Sequence, residues 1–197
     1  MAITIYKSPH ITMITIVSGL PRSGTSMMMQ ALAAGGMPLL ADGLRTADAD
    51  NPNGYCEFEP VKKLRTHTDW LKNAEGKAVK VIAQLLTYLP QEYDYKIIFM
   101  HRELEAVLRS QAIMLNRQGK SGANLFKEQL GKVFSSQLAQ VKDFLNRQEN
   151  MSTLDVDYAE MVQQPETYLT QLIHFLDVPL DIKKMKAAID PGLHRNR

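Results

Sequence analysis

The chain has 197 residues, of which 45% are hydrophobic and 22% are charged, and these proportions are typical of a globular protein. We therefore treat 1–197 as a single domain. The formal net charge of +2 gives no reason to expect a nucleic-acid partner. No apolar run approaches the roughly 20 residues of a membrane span, and the N-terminus does not have the pattern of a signal peptide. With one cysteine, Cys56, and hence no internal disulfide, these features predict a cytoplasmic protein without membrane association.

The first predicted strand leads into a loop that can bind an anion. The run from Ile14 to Val17 is apolar and rich in β-branched residues, which predicts a buried parallel strand. It ends at the turn signal Gly19-Leu20-Pro21, and a helix is predicted from about Ser26 to Ala34. Backbone N–H groups at the start of a helix have no partner inside it, so this arrangement predicts a site for an anion.

The spacing within the loop narrows the choice of anion site. Gly19 and Gly24 are followed by Thr25 and Ser26, so the frame reads G-x-x-x-x-G-T-S. A nucleoside triphosphatase has a lysine at the position of Thr25, and that lysine is missing here. A cation stands inside the loop instead, at Arg22. An ordinary turn needs neither this arginine nor three hydroxyl side chains, so the loop predicts phosphate binding.

Strands and helices alternate along the rest of the chain. Further strands are predicted at 78–82, 96–100 and 153–156, and helical patterns at 61–71, 104–115, 125–145, 165–176 and 182–189. Such alternation predicts an α/β fold, in which a parallel β-sheet is flanked by helices on both faces. Ligands of this fold bind at the carboxyl ends of the strands.

Residues 1–12 and 38–53 are among the stretches without a predicted helix or core strand. Residues 1–12 form either an edge strand or a loose extension. Residues 38–53 form a long polar loop that contains Asp42, Asp48 and Asp50. The spacing of these aspartates does not match a calcium-binding loop, so we expect no metal.

A second anion-binding element follows the third strand. Arg102 comes directly after it, and Ser110 follows eight residues later on the next helix. A guanidinium group can donate two hydrogen bonds to a phosphate, and the start of the helix adds a favourable dipole. An arginine and a serine at this spacing occur often by chance. Their place after a strand, in addition to the glycine loop, makes a second phosphate site the better interpretation.

The two elements together resemble the nucleotide-binding motifs of sulfotransferases that use 3'-phosphoadenosine 5'-phosphosulfate (PAPS). The residues that carry the resemblance are P-R-S-G-T-S at 21–26 and Arg102 with Ser110. N-P-x-G-Y-x-E at 51–57 and the segments 157–166 and 175–179 agree with it. The resemblance implies PAPS as the donor and adenosine 3',5'-bisphosphate (PAP) as the product.

The resemblance also implies roles for individual residues. Arg22 contacts the sulfuryl-bearing end and takes part in catalysis, Arg102 and Ser110 bind the 3'-phosphate, and Tyr158 lies beside the adenine. Arg195 in the tail either closes over the 3'-phosphate or is solvated. The full set of implied donor-binding residues is Pro21, Arg22, Ser23, Gly24, Thr25, Ser26, Arg102, Ser110, Tyr158 and Arg195.

The catalytic base departs from the family pattern. Cytosolic relatives carry a histidine within a K-T-H sequence, whereas this chain reads Lys80-Val81-Ile82. Glu57 is the leading candidate for the base, and Lys80 is a possible second cation. The alternatives for the base are His67, His101 and Glu59.

Two other functions stay open at this stage. One is a P-loop kinase that uses ATP and Mg²⁺, and the other is a nucleotide-binding module without catalysis. Under the leading hypothesis the acceptor is a small molecule or a carbohydrate with a hydroxyl or amine group. The sequence names neither the acceptor nor the oligomeric state.

Overall fold

The computed structural model describes residues 13–48, 51, 53–117 and 127–189, and the side chains of 127 and 128 are not described. The predictions for 1–12, Asp50 and Arg195 therefore lie outside the described residues. The strands are β1 (Met13–Gly19), β2 (Ala78–Lys80), β3 (Asp94–His101) and β4 (Met151–Asp157). The α-helices are α1 (Thr25–Ala34), α2 (Leu104–Arg117), α3 (Lys127–Leu145), α4 (Tyr158–Gln163), α5 (Pro165–Leu176) and α6 (Ile182–Ala187). Short 3₁₀ helices cover Glu59–Lys63, Asp69–Asn73 and Ala83–Tyr88.

The four strands form one parallel sheet in the order β2-β1-β3-β4. β1 and β3 are neighbours in this order, and their register places Gly19 opposite Met100. The loop after β1 and the residues after β3 therefore leave the sheet side by side. This order brings the two predicted phosphate-binding elements to one edge of the sheet.

Apolar side chains on the two faces of the sheet bury separate sets of helices. On one face, residues such as Ile16 and Ile97 belong to a core with α3 and the 3₁₀ helices. On the other face, residues such as Val17 and Ile98 pack with α1, α4, α5 and α6. The predicted α/β fold with helices on both faces is thus confirmed. None of the helices in the described part of the chain has the length and hydrophobicity needed to cross a bilayer.

Local structure differs from prediction in several places. β2 ends at Lys80 rather than at 82, and the 3₁₀ helix Ala83–Tyr88 was not predicted. The helical pattern at 61–71 forms two 3₁₀ helices, and the residues between them, 64–68, include two threonines, which are poor helix formers. A further difference is α4, which was not predicted. It starts directly after β4 because the Asp157 carboxylate accepts hydrogen bonds from the N–H groups of Ala159 at 2.8 Å and Glu160 at 3.0 Å.

Candidate functional site

A cleft of about 620 Å³ opens at the carboxyl ends of β1, β2 and β3. Its volume is within the range of small-molecule sites. Its lining includes the loop after β1, the end of β2, Arg102 after β3 and Tyr158 at the start of α4. Residues from the segment between Arg45 and Lys62 also line it.

The loop after β1 presents backbone N–H groups to this cleft. Ser23 N–H donates to Leu20 O at 3.1 Å, which closes the turn, and Gly24 is the N-cap of α1. The first hydrogen bond of the helix runs from Met28 N–H to Gly24 O at 3.1 Å. The N–H groups of 25–27 precede it, and these residues line the cleft, so the positive end of the α1 dipole lies there.

The conformation of the loop depends on its glycines. Gly24 has φ +100°, and a Cβ atom there would lie 2.4 Å from the Tyr158 ring. At Gly19, with φ +148°, a Cβ atom would lie 2.6 Å from the Met100 carbonyl oxygen. Arg22, between them, also has positive φ, at 71°. The loop can therefore pack closely against both β3 and α4 only because Gly19 and Gly24 lack side chains.

The two predicted phosphate-binding elements contact each other directly. Arg22 Nε donates a hydrogen bond to Ser110 Oγ at 2.9 Å, and Arg102 Nη1 donates one to the Arg22 carbonyl oxygen at 3.0 Å. The Arg102 guanidinium also lies over the Tyr158 ring, 4.7 Å from its centroid. Burial lowers the pKa of Arg102, yet a guanidinium remains charged at neutral pH.

The residues predicted from the sequence fall into two groups by position. Those that line the cleft are Pro21, Arg22, Gly24, Thr25, Ser26, Glu57, Arg102 and Tyr158. Ser23 and Ser110 are buried behind them, with 1% and 2% of their surface exposed. Ser110 Oγ accepts from Arg22, whereas Ser23 Oγ has no hydrogen-bond partner among the described residues.

Lys80 lies at the end of β2 and reaches the start of α1. Its side chain is 9% exposed, and Nζ donates to Ser26 Oγ at 3.2 Å and to the Tyr55 carbonyl oxygen. Nζ also forms an ion pair with Glu57 at 3.4 Å. Burial lowers the pKa of Lys80, and the Glu57 carboxylate opposes this effect.

Contacts that the sequence did not predict connect the polar loop 38–53 with the lining of the cleft. Arg45 forms an ion pair with Glu57 at 2.8 Å, and its guanidinium lies 3.4 Å from the centroid of the Tyr55 ring. The Tyr55 hydroxyl donates to the Asp48 carboxylate at 2.8 Å, and burial raises the Tyr55 pKa. Tyr55 belongs to the N-P-x-G-Y-x-E pattern and could have been considered, but no sequence signal indicated Arg45.

The three alternatives for the base are not among the residues that line the cleft. His67 contacts Thr66 and is exposed, and His101 pairs with Asp155. Glu59 forms an ion pair with Lys62 at 2.7 Å. Glu57 is therefore the candidate that faces the cleft. Within the described residues, no group of three or more histidine, cysteine, aspartate or glutamate side chains could hold a metal ion.

Comparisons with known proteins point to one family. A model of the sulfotransferase family matches residues 55–182. Among curated protein sequences, none matches the chain significantly.

Three solved structures share the fold. The sulfotransferase STF1 from Mycobacterium tuberculosis H37Rv superposes with a TM-score of 0.60 at 14% identity, covering 91% of this chain and 71% of its own. The sulfotransferase domain of the Synechococcus PCC 7002 olefin synthase gives 0.56 at 16% identity, with coverages of 95% and 88%. The sulfotransferase domain from the curacin biosynthetic pathway gives 0.54 at 16% identity, with coverages of 93% and 91%.

Proposed function

Because the chain belongs to the sulfotransferase family, we propose that it transfers a sulfuryl group from PAPS to a hydroxyl or amine acceptor. One observation carries the proposal: Arg22 and Arg102 line the same cleft, and a hydrogen bond links them. PAPS has two anionic groups, a phosphate on O3' and a phosphosulfate on O5' of its ribose. Two linked cationic elements at the edge of one sheet suit such a donor.

The chemistry of the lining fits this donor. In the proposal, the 5'-phosphate binds to the loop Pro21–Ser26, where Gly24 allows close approach and the N–H groups of α1 favour an anion. Arg102, with Ser110 behind it, binds the 3'-phosphate, and Arg195 belongs to this group. Tyr158 offers an aromatic ring to the adenine. The buried Ser23 hydroxyl, which has no partner among the described residues, can donate to a bound phosphate after a change of rotamer.

The residues at the centre of the cleft suit sulfuryl transfer. When bound, the donor supplies the sulfuryl group: the acceptor oxygen forms the new S–O bond while the bond to the 5'-phosphate oxygen breaks and leaves its electron pair there. Arg22, Lys80 and the α1 N–H groups neutralise the charge that develops on this phosphate. Glu57 takes the proton of the acceptor.

Two cations hold the proposed base in position. The Glu57 carboxylate accepts from Arg45 at 2.8 Å and lies 3.4 Å from Lys80 Nζ. Lys80 in turn donates to Ser26 in the phosphate-binding loop at 3.2 Å. This chain of contacts connects the base with the donor site.

The test is transfer of radiolabelled sulfate from PAPS to an acceptor panel, with Glu57→Gln and its neighbour Glu59→Gln as matched variants. We expect Glu57→Gln to lower kcat by about 10²- to 10⁴-fold, the range of a lost general base, with PAP affinity retained. Glu59→Gln should stay near wild type. Equal activity of the two variants would remove Glu57 as the base. PAP binding without transfer to any acceptor would favour a module without catalysis.

A further inference from the structure

Part of the lining of the cleft is apolar. Six side chains form it, and they come from 58–61, from the end of β2 and the 3₁₀ helix after it, and from α2. These residues, which we call the apolar wall, are Phe58, Val61, Val81, Ile82, Leu85 and Met114. Their side chains offer a ligand neither hydrogen-bond donors nor charges.

The apolar wall and the proposed reactive groups line the same cleft, and they are neighbours in the chain. Phe58 directly follows Glu57, and Val81 with Ile82 directly follow Lys80. We therefore infer that an acceptor whose hydroxyl lies at Glu57 extends along this wall. The wall thus bears on the identity of the acceptor.

Part of the wall is held by packing, and part is open to a ligand. The Phe58 ring packs edge-on against Trp70 with 5.6 Å between centroids, and Val81 is fully buried. Ile82 is instead 44% exposed, although it lines the cleft. Covering this exposed apolar surface with an apolar ligand is favourable.

The charged side chains beside the wall contact one another. Arg45 and Lys80 both lie on Glu57, at 2.8 and 3.4 Å, and Lys62 pairs with Glu59 at 2.7 Å. A sugar placed against the apolar wall would lose hydrogen bonds to water, which is costly.

We propose that the acceptor is an apolar alcohol or phenol rather than a carbohydrate. This proposal rests on the function proposed above. The hydroxyl gives its proton to Glu57 as its oxygen bonds to the sulfur of PAPS, and PAP leaves. The alkyl or aryl group lies against the apolar wall. Specificity for the acceptor then comes from contact with the apolar wall and not from hydrogen bonds.

The experiment measures kcat/KM at saturating PAPS for n-alkanols from butanol to octanol, for substituted phenols, and for glucose and N-acetylglucosamine. We expect kcat/KM to rise up to about four-fold for each added methylene group until the wall is covered. Both sugars should react more slowly than the longer alkanols.

The variant Ile82→Ser tests the wall itself. Ile82 is the N-cap of the 3₁₀ helix Ala83–Tyr88, and serine is a favoured capping residue, so this variant should fold. We expect about a ten-fold loss with octanol, little change with butanol and unchanged PAP affinity. The matched control is Val133→Ser on α3, since Val133 is 48% exposed and lies outside the lining.

The inference fails if the sugars react as well as octanol, if kcat/KM does not change with chain length, or if Ile82→Ser behaves like Val133→Ser. Transfer to no alcohol or phenol also overturns it. PAP binding then shows whether the proposed function fails as well. If the protein binds PAP and sulfates sugars, the proposed function stands and only the inference on the acceptor fails. If the protein does not bind PAP, both fail.

Discussion

Arg22 Nε donates a hydrogen bond to Ser110 Oγ at 2.9 Å, and this contact joins two elements 88 residues apart in the chain. The same arginine accepts a hydrogen bond at its carbonyl oxygen from Arg102. The second element thus holds both the main chain and the side chain of Arg22, a residue with φ +71°. The two proposed phosphate sites should therefore respond together to mutation.

Ser110→Ala removes the partner of Arg22 Nε without adding bulk. We expect PAP affinity to fall by roughly ten-fold, since hydrogen bonds to charged groups contribute about 1.5–3 kcal/mol. Calorimetry measures the change. Ser136→Ala on the exposed side of α3 is the control and should bind PAP normally. Equal affinities of the two variants would show that Ser110 does not take part in binding.

Gly24→Ala tests the packing of the loop against α4. The added methyl group would lie 2.4 Å from the Tyr158 ring, so either the loop or the ring must move. Gly36→Ala is a matched control, because Gly36 has φ +101° and its Cβ would meet no atom within 4 Å. We expect Gly24→Ala to cost about 1–3 kcal/mol more in the free energy of unfolding, the range for overpacking. Thermal or urea unfolding measures this difference, and identical losses would rule out the close contact.

The titration of Lys80 should make the activity fall at alkaline pH. Burial lowers its pKa below the ordinary 10.5, so the amine loses its proton at a lower pH than an exposed lysine. A cation is needed beside the departing phosphate, and kcat should therefore fall as pH rises through this lowered pKa. Lys80→Arg keeps its charge and should move the fall to higher pH. A pH–rate profile of both proteins checks this, and an unmoved alkaline limb would assign the titration to another group.

Much of the fold could be predicted because local patterns determine it. α5 starts and ends where the periodicity and Pro165 predicted, and β1 and β3 follow their apolar runs. A parallel sheet was expected to bring the carboxyl ends of its strands to one edge, and the structure adds that β1 and β3 are neighbours there. α4 was not predicted, because six residues are too few to show a helical periodicity and its start depends on the cap that Asp157 provides directly after a strand.

The part of the lining around Arg45, Tyr55 and Glu57 could not be predicted, because it depends on contacts between side chains that are not neighbours in the sequence. Nothing local to Arg45 indicates that it lies over Tyr55 or pairs with Glu57. The burial of Ser23 and Ser110 is a similar case. Spacing places both serines near a phosphate site, but only packing decides which groups line the cleft and which support it.

The central claim is that Arg22 and Arg102 bind the 5'- and 3'-phosphate groups of one adenosine 3',5'-bisphosphate. Calorimetric titration with PAP, in the absence of magnesium, tests it most directly, with adenosine 5'-monophosphate and ATP–magnesium as comparisons. We predict that PAP binds most tightly and that Arg102→Ala weakens PAP by about ten- to a hundred-fold. Arg65→Ala, which alters an arginine packed on Tyr88 outside the cleft, should bind normally. Magnesium-dependent ATP binding that is tighter than PAP binding, or an Arg102→Ala variant with wild-type PAP affinity, would contradict the account.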